Sequence, residues 1–270
     1  MTDWNSETNL KDQLSFNGNQ KIWAIGGGKG GVGKSLVTAN LSICLSLMGY
    51  KVVAIDLDLG GANLHTCLGV PIPEKTLSDY LSKIRNLDAD FVLMDLGAGT
   101  TFNTLDFFIS ADQGILTALP EPTSIENTYR FIKSVYHRKL KMAEDLLEVG
   151  PLIDQAMNAR LNNNATPSEL IEKVIEINPQ MGHKLKAEIQ SFIPKLVINQ
   201  VRTQADIDIG FSMKIICKKY FGINLDYIGY LEYDATVWQS VKKRRPLLME
   251  FPNSALVSNF DRIVHRLLKI

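Results

Sequence analysis

A glycine-rich segment near the N-terminus, Gly28–Ser35, has residue types and spacing that suit phosphate binding. It satisfies the pattern GxxxxGK[ST], in which glycines let the backbone curl until several N–H groups point at phosphate oxygens. A helix that starts here would add the partial positive charge of its N-terminus. In such a loop Lys34 is expected to reach the β- and γ-phosphates, and the Ser35 hydroxyl to bind Mg²⁺. The segment therefore predicts a P-loop that binds a nucleoside triphosphate.

The P-loop lies between a predicted strand and a predicted helix, which is the context that this motif requires. The strand is the apolar run Ile22–Ile25, and the helix runs from Ser35 to Met48, where Gly49 ends it. Further apolar runs of strand length alternate with helical segments. They are Val52–Ile55, Phe91–Met94, Gly114–Leu119, Leu196–Ile198 and Tyr227–Tyr230. This alternation predicts an α/β fold: a doubly wound, mainly parallel sheet with helices on both faces.

Three aspartates follow two of these strands. Asp56 and Asp58 come after the second strand, and Asp95 comes directly after the third. In a doubly wound sheet, ligands bind beyond the carboxyl ends of the strands, which lie along one edge. We therefore expect the P-loop and the three carboxylates to meet there. An aspartate at a strand end often caps a turn, but two in alternation after a P-loop favour nucleotide chemistry.

A second lysine, Lys29, lies inside the P-loop, and a plain phosphate-binding loop does not need it. The resulting motif KGGVGKS resembles the deviant P-loop of the MinD/ParA family of ATPases. The resemblance implies that Lys29 crosses the interface of an ATP-dependent homodimer to the partner's nucleotide, as a lysine counterpart of the arginine finger. The residues that it implies for ATP binding are Gly28, Lys29, Gly30, Gly31, Val32, Gly33, Lys34, Ser35 and Leu36.

Two segments resemble the switches of this family. In the first, Ile55–Asn63, the resemblance implies that Asp56 helps to hold Mg²⁺ through water and that Asp58 orients the attacking water. Asn63 matches a family asparagine near the dimer contact. In the second, Asp95–Gly99, the aspartate matches the Walker B carboxylate, again on Mg²⁺ through water, and the glycines let the backbone move with the γ-phosphate. The implied catalytic residues are Lys29, Lys34 and Asp58, and the implied metal site is Ser35, Asp56 and Asp95.

Weaker signals concern the adenine base. Asn199 matches the family position that reads adenine, and Arg202 could lie beside the base. The segment Leu231–Asp234 resembles the loop that closes over the base, with Asp234 as its contact. An asparagine at a strand end is structural about as often as not, so the structural role stays open for Asn199.

Within the family, the resemblance is to FlhG-like members, which limit flagellar number and place organelles. It rests on Asp95–Thr100, on Pro120–Ile125, and on the tail from Gly229 to Pro246. Two features depart from that pattern. The segment that follows Leu77–Leu81 is much shorter than in family members, and the N-terminal arm lacks the pattern by which FlhG proteins engage their GTPase. The implied role is control of flagella or of another polar machine.

The composition suits an ordinary globular protein. The 270 residues are 45% hydrophobic and 21% charged, with a formal net charge of zero. The cysteines are odd in number and widely spaced, which fits a reducing compartment. The N-terminus lacks the apolar region of a secretory signal, and no apolar run reaches the ~18 residues that a membrane span needs. We expect a cytoplasmic protein, recruited to a pole or membrane through a partner.

Residues 1–20 are predicted to form a flexible arm, with residues 21–270 as a single P-loop ATPase domain. Residues 138–192 are charged and helical in pattern, and predict a helical insertion between two strands. Thr166–Glu169 is a strong helix start, with threonine as the cap, proline first and glutamate third. The insertion or the arm is the expected site for a protein partner.

Two segments raise the question of membrane or DNA binding. The last helix, Ser254–Lys269, is amphipathic, but the family anchor lies beyond this helix, so core packing is the better interpretation and direct membrane binding is doubtful. The basic run Lys242–Arg245 could contribute to DNA binding, as in ParA-type relatives. Such a run is more typical of a solvated turn, and no aromatic stacking platform accompanies it.

Other functions stay open. A metabolic or metal-cluster-handling ATPase of the same superfamily would need paired cysteines between subunits, but Cys44 and Cys67 do not follow the Walker B strand. A non-hydrolysing, nucleotide-gated scaffold is disfavoured by the intact lysines and aspartates, although the shortened segment near Ser82 could prevent turnover. A tyrosine kinase is disfavoured because no tyrosine-rich tail follows.

Overall fold

The computed structural model describes residues 20–58, 61–71, 88–158 and 166–269. The strands are β1 (Lys21–Gly26), β2 (Val52–Asp56), β3 (Phe91–Asp95), β4 (Gln113–Ala118), β5 (Lys195–Val201) and β6 (Asp226–Glu232). Within the described residues they form one parallel sheet in the order β2-β3-β1-β4-β5-β6. The predicted strands and the predicted doubly wound sheet are confirmed.

Helices connect the strands. They are α1 (Lys34–Leu47), α2 (Leu64–Leu68), α3 (Phe102–Ser110), α4 (Pro122–Leu147), α5 (Gly150–Asn158), α6 (Pro167–Ile177), α7 (Pro179–Gln190), α8 (Gln204–Phe221), α9 (Thr236–Lys243), α10 (Leu247–Glu250) and α11 (Ala255–Leu268). Helix α1 begins and ends one residue before the predicted bounds.

The strands are buried because helices cover both faces of the sheet. On one face, α3, α4 and α8 bury a cluster in which Phe108 meets Phe131 edge to face, with 5.1 Å between the ring centroids. On the other face, α1, α10 and α11 bury a second cluster, in which Trp23 meets Phe91 at 5.1 Å. Each such side chain contributes roughly 1.5–3 kcal/mol through burial. The two clusters hold the strand ends, and hence the loops beyond them, in place.

The helices between β4 and β5 add a smaller cluster beside the first one, to which Ile171 of α6 and Ile189 of α7 also belong. Helices α5, α6 and α7 enclose a third apolar cluster with the end of α4. Thr166 and Glu169 form the predicted capping box at the start of α6. Position 138, where the predicted insertion begins, lies inside the continuous helix α4.

The last helix packs against the sheet, as the sequence predicted. Its apolar side Leu256, Phe260, Ile263 and Leu267 is buried in the second cluster. In the described part of the chain, no helix is both long and apolar enough to cross a membrane. The arm (1–19), residues 59–60 of the first switch, the segment 72–87 around Ser82, and residues 159–165 lie outside the described residues.

Candidate functional site

The P-loop connects β1 to α1 and turns through two glycines with left-handed backbone. Gly31 has a φ of 78° and Gly33, the residue before α1, a φ of 95°, which glycine adopts without steric strain. Space constrains Gly28 instead, because a Cβ there would lie 2.0 Å from the carbonyl oxygen of Asn127 in α4. The loop therefore packs against α4 while it leads into the N-terminus of α1, the end of a helix that favours anions.

Lys34 is the first residue of α1 and is only 7% exposed. Its Nζ lies 3.5 Å from the carbonyl oxygen of Lys29 inside the loop. Burial lowers the pKa of Lys34, and the negative charges of Asp95 and Asp58 partly offset that effect. The structure thus brings the P-loop lysine together with one carboxylate from each switch.

Asp95 ends β3 and is 1% exposed. Burial raises its pKa to about 6; the hydroxyls of Ser35 and Thr38 and the charge of Lys34 oppose the rise, and the charge of Asp56 adds to it. Thr38 Oγ1 donates a 3.4 Å hydrogen bond to Oδ1 of the carboxylate. The other oxygen, Oδ2, is buried with no hydrogen-bond partner among the described residues. A buried acceptor in this state is a candidate for an additional ligand.

Asp56 organises the first switch. Its Oδ1 accepts a 3.0 Å hydrogen bond from the N–H of Asp58, and its Oδ2 accepts one of 3.1 Å from the N–H of Leu64. Asp58 is half-buried, and its carboxylate faces Gly97 of the second switch, where a Cβ would lie 3.3 Å from Oδ1. Asn63 is exposed beside α2. The two switches are therefore in contact through Asp58 and Gly97.

Mg²⁺ prefers oxygen ligands, and the site offers a matching set. Ser35 lies in the first turn of α1, while Asp56 and Asp95 are register partners at the carboxyl ends of adjacent strands. The unpartnered Oδ2 of Asp95 is available to accept a hydrogen bond from a metal-bound water. One hydroxyl and two carboxylates suit a Mg²⁺ ion that keeps several waters and also binds phosphates.

Asn199 at the carboxyl end of β5 is only 3% exposed. Its Nδ2 donates a 2.9 Å hydrogen bond to the carbonyl oxygen of Val32, and its Oδ1 accepts one of 2.9 Å from the N–H of Gln200. A Cβ on Gly33 would lie 2.3 Å from Nδ2. In this structure Asn199 thus holds the P-loop in place through its hydrogen bond to Val32.

Arg202 and Asp234 lie in the loops that follow β5 and β6. The guanidinium of Arg202 stacks on the ring of Tyr233, 3.6 Å from its centroid, beside an open cavity of about 410 Å³. Asp234 accepts hydrogen bonds from the N–H of Thr236 and from the hydroxyl of Ser254, at 2.8 Å and 2.6 Å. The structure therefore places Arg202 at an accessible ring, whereas Asp234 joins the loop to the cap of α11.

Two residues near the P-loop were missed in the sequence. Thr38 lies three positions after Ser35 on α1, which also carries Ser42 and Ser46, so its residue type did not single it out. Asn127 acts through its main-chain carbonyl against Gly28. Any residue type supplies such a carbonyl, so no residue pattern could have revealed it.

The cysteines occupy separate parts of the fold. Cys44 and Cys217 are buried in the clusters on opposite faces of the sheet. Burial raises the pKa of both thiols to about 12, and that of Cys67 to about 11. The placement favours packing roles, and it does not favour a metal-cluster function.

Comparison with known proteins places this geometry in context. A model of the CobQ/CobB/MinD/ParA nucleotide-binding domain matches residues 23–247. The antiactivator FleN of Pseudomonas aeruginosa is 23% identical over 290 aligned positions, which cover 91% of this chain and 85% of FleN. The flagellum site-determining protein YlxH of Helicobacter pylori is 31% identical over 170 positions, which cover 46% of this chain and 58% of YlxH.

A solved structure shows the same fold. The septum site-determining protein MinD of Pyrococcus horikoshii, complexed with Mg-ADP, superposes with a TM-score of 0.59 at 20% identity. The superposition covers 92% of this chain and 96% of that protein. At this level of identity the likeness concerns the fold.

Proposed function

The chain belongs to the CobQ/CobB/MinD/ParA nucleotide-binding family, and we propose that it is a Mg²⁺-dependent ATPase that dimerises around ATP and acts as a regulatory switch. Its sequence resemblance to MinD/ParA proteins and to FlhG-like members is confirmed. The observation that carries the proposal is the convergence of Lys34, Asp58 and Asp95 beside the P-loop. These are the groups that phosphoryl transfer needs for charge neutralisation and for positioning of the nucleophile.

The triphosphate would lie on the P-loop, at the N-terminus of α1. Backbone N–H groups of Gly28–Ser35 and the helix N-terminus would bind its oxygens. Lys34 is already desolvated in the fold, so its charge acts on the phosphates in a medium of low dielectric constant. Asn199 supports this arrangement, because its hydrogen bond to Val32 limits movement of the loop.

Ser35, Asp56 and Asp95 would hold Mg²⁺, the carboxylates through water. Mg²⁺ held by these residues would supply charge neutralisation during phosphoryl transfer. The pKa of about 6 at Asp95 leaves this carboxyl mainly ionised at neutral pH, as a metal site requires. Its unpartnered Oδ2 supports the assignment.

Asp58 would orient the attacking water. Its carboxylate is half-buried, lies close enough to Lys34 to affect the lysine's pKa, and faces the second switch at Gly97. If the second switch moves with the γ-phosphate, Gly97 would therefore move directly against Asp58, the group proposed to position the water.

Lys29 would complete the site of a second subunit. Its side chain is exposed, unlike that of Lys34, and only its carbonyl faces Lys34 within the loop. A lysine at the rim of the P-loop can reach a nucleotide bound across a two-fold interface. Dimerisation would then be a condition for hydrolysis, and hydrolysis would release the dimer.

The adenine base would lie near Arg202, Tyr233 and Asp234, in the loops that follow β5 and β6. The stacked guanidinium and phenol rings beside a cavity of about 410 Å³ offer a flat, accessible surface. Asn199 lies between this region and the P-loop, so it can respond to both ends of the nucleotide.

The output would be regulatory, on flagella or on another polar machine. The support is similarity to an antiactivator and to a flagellum site-determining protein. The protein would act in the cytoplasm and reach a pole or membrane through a protein partner, bound at the helices between β4 and β5 or at the N-terminal arm. No described feature specifically supports DNA binding, since Lys243 and Arg245 of the basic run pair with Glu250.

The decisive experiment is the assembly state by light scattering, with Mg²⁺–ATP, Mg²⁺–ADP and no nucleotide. Wild type should form dimers with ATP that dissociate as ATP is consumed, and Asp58→Ala should keep its ATP dimers. With ADP both proteins should be monomeric. A monomer under every condition, at protein concentrations where ATP binding is saturated, would refute the switch.

A further inference from the structure

A groove runs along the outer side of β6, between α8 and α11. Its cavity has a volume of about 430 Å³ and adjoins, at Ile207 and Tyr230, the cavity of about 410 Å³ proposed above for the adenine base. The strand β6 is terminal in the described sheet, so its outer side faces the groove rather than another described strand. Along β6 the groove extends from Tyr227 to Tyr230.

The α8 wall of the groove is apolar and exposed. Phe211 is 55% exposed and packs edge to face on Tyr227, with 5.0 Å between the ring centroids. Ile215, one turn further along, is 68% exposed. The opposite side of this helix is already buried against the sheet through Met213 and Cys217. Helix α8 therefore carries large apolar residues on its outer side as well as on its buried side. An exposed apolar patch of this kind is typical of a binding surface.

The groove is also rich in cations. Arg262 lies 5.7 Å above the ring of Tyr230, and Arg266 donates a 3.1 Å hydrogen bond to the carbonyl of Ile228. Among the described residues, Arg262 and Arg266 form no salt bridge with a carboxylate, whereas Arg130, Arg138 and Arg245 do.

The remaining charges leave an excess of cations. Lys214 and Lys218 are exposed on α8, at helical spacing from Phe211. Two carboxylates face the groove: Asp261, which lies 3.4 Å from His265, and the exposed Asp208 of α8, whose charge acts on Tyr227. A surface of aromatic and arginine side chains with more cations than carboxylates is complementary to ligands that are both acidic and apolar.

A buried hydroxyl on the groove floor lacks a partner. Tyr227 is 8% exposed, and its Oη has no hydrogen-bond partner among the described residues. The ring lies so close to α8 that a Cβ on Gly210 would be 2.5 Å away. A buried tyrosine hydroxyl normally has an acceptor. The groove therefore holds a donor that a bound acceptor would satisfy.

We propose that this groove binds an extended, acidic segment of a partner protein, in which carboxylates alternate with aromatic or branched apolar residues. Alternate side chains of an extended segment point to opposite sides. One row would pack on Phe211 and Ile215, and the carboxylates would meet Arg262, Arg266 and the Tyr227 hydroxyl. The segment would use the β6 edge as its backbone template.

Part of that edge is already satisfied by α11. Arg266 caps the carbonyl of Ile228, and Oδ1 of Asn259 accepts a 3.0 Å hydrogen bond from the N–H of Glu232. Between these caps lie Gly229, Tyr230 and Leu231. A Cβ at Gly229 would lie 3.0 Å from Ile263 of α11, and Leu231 is fully buried. The proposed segment would therefore be short and centred on Tyr230.

The test is selection of phage-displayed random linear peptides on the full chain without nucleotide, which keeps it independent of the ATPase proposal. Enriched peptides should alternate Asp or Glu with Phe, Leu, Ile or Val. For a fluorescein-labelled copy of one such peptide, Phe211→Glu and Arg262→Glu should each weaken binding by at least about tenfold in fluorescence anisotropy. Tyr227→Phe, which keeps the ring, should weaken it less.

Matched controls change the same residue types elsewhere. Trp238 is 66% exposed on α9 and Arg244 is exposed at its end, so Trp238→Glu and Arg244→Glu should leave peptide affinity within about twofold of wild type. Circular dichroism melting of every variant shows whether it is folded.

Three outcomes would overturn the proposal. The first is no enrichment, or enriched peptides whose binding is unaffected by Phe211→Glu. The second is Phe211-dependent sedimentation with phosphatidylserine vesicles in place of peptide binding, which would make this a membrane surface. The third is a nucleotide-independent dimer that Phe211→Glu dissociates, which would make it a contact between copies of this chain.

Discussion

The side-chain amide of Asn199 donates a 2.9 Å hydrogen bond to the carbonyl of Val32, so the end of β5 holds the P-loop 167 residues earlier in the chain. Both residues are almost fully buried. A buried carbonyl with no partner is costly, which makes this bond a constraint on the loop. It also connects the phosphate-binding loop to the strand that leads to Arg202.

Asn199→Ala should therefore weaken both stability and ATP binding. Leaving the Val32 carbonyl unpaired should lower the free energy of unfolding by about 1–3 kcal/mol. Because the loop is then less ordered, the Kd for ATP should rise about tenfold. Urea denaturation and calorimetric titration measure the two effects.

Tyr136→Phe is the matched control for Asn199→Ala. Tyr136 is 1% exposed and its hydroxyl donates a 2.9 Å hydrogen bond to the carbonyl of Pro167, away from the P-loop. It should lose comparable stability with unchanged ATP affinity. An equal loss of ATP affinity in both variants would show that Asn199 has no specific role in the loop.

Gly28→Ala and Gly30→Ala should differ sharply in stability. A Cβ at Gly28 would lie 2.0 Å from the carbonyl oxygen of Asn127, whereas at Gly30 nothing lies within 4 Å. The first change should lower the free energy of unfolding by about 2 kcal/mol or more, because α4 has to move. The second should stay within about 0.5 kcal/mol of wild type. Thermal or urea denaturation of the nucleotide-free proteins measures the two free energies of unfolding. Similar values for the two variants would contradict the packing of the P-loop on α4.

Asp95 should make stability depend on pH. Its pKa is raised from 3.8 to about 6 in the folded protein. The folded state therefore holds this proton more tightly than the unfolded state, and the stability that protonation supplies is lost as pH rises through 6. Asp95→Asn removes the buried charge, and should raise the free energy of unfolding at pH 7 by up to about 3 kcal/mol.

The gain from Asp95→Asn should shrink as the pH falls towards 4, which urea denaturation at several pH values would show. Asp154→Asn, at an exposed aspartate of α5, is the control, and should change the free energy of unfolding by no more than about 0.5 kcal/mol. In wild type, Mg²⁺–ATP affinity should fall below pH 6, because the carboxylate then carries a proton. A pH-independent stability difference for Asp95→Asn would contradict the burial effect.

Lys29 and Asp58 should complement each other between subunits. If Lys29 acts across the dimer interface and Asp58 within its own subunit, Lys29→Ala and Asp58→Ala are each inactive alone. A mixed dimer contains one site with both groups and one with neither. An equal mixture should thus recover roughly a quarter of the wild-type ATPase rate, because half of the dimers are mixed and each has one active site. Phosphate release measures it.

No recovery in that mixture, with both variants shown to dimerise, would place Lys29 and Asp58 in the same subunit's site. A mixture of Lys34→Ala with Asp58→Ala is the control. Both of these residues belong to one subunit's site, where the negative charge of Asp58 acts to raise the pKa of Lys34. This second mixture should stay inactive.

The ion pair between Asp106 and Arg138 should be important for stability. It joins α3, which follows the second switch, to α4, through hydrogen bonds of 2.6 Å and 2.8 Å. The Asp106 side chain is 11% exposed and the Arg138 side chain 33%, so Asp106→Ala would remove both hydrogen bonds at a place where water replaces them only in part. Asp106→Ala should cost about 3 kcal/mol, and the double change Asp106→Leu with Arg138→Met should recover much of that.

Glu126→Ala is the control for this ion pair. It breaks the exposed pair with Arg130 on the same helix, and should cost no more than about 0.5 kcal/mol in urea denaturation. A similar cost for both single changes would contradict the importance of burial.

Much of the fold was predictable because it repeats a simple pattern. The apolar runs at Ile22–Ile25, Val52–Ile55 and Phe91–Met94 are continuous, which is typical of strands covered on both faces. Parallel strands end at one edge of a sheet, so the sequence also predicted that Asp56, Asp58 and Asp95 meet the P-loop. The capping box at Thr166 is local, and local patterns are visible in sequence.

Other features depend on contacts between distant parts of the chain. The pKa of Asp95 depends on how deeply β3 is buried, and the groove beside β6 depends on the spacing between α8 and α11. Exposure of Phe211 and Ile215 is likewise invisible in the sequence, because the apolar residues on α8 do not indicate which side faces the sheet.

The sequence by itself determined the sheet, the P-loop and the residues at the carboxyl ends of its strands, since these follow from periodicity and from the chemistry of short motifs. Only the tertiary structure decided that Asn199 braces Val32, and that Gly28 meets a main-chain carbonyl of α4. Both contacts join segments far apart in the chain, and their distances are set by side-chain packing between strand and helix layers, which no local pattern encodes.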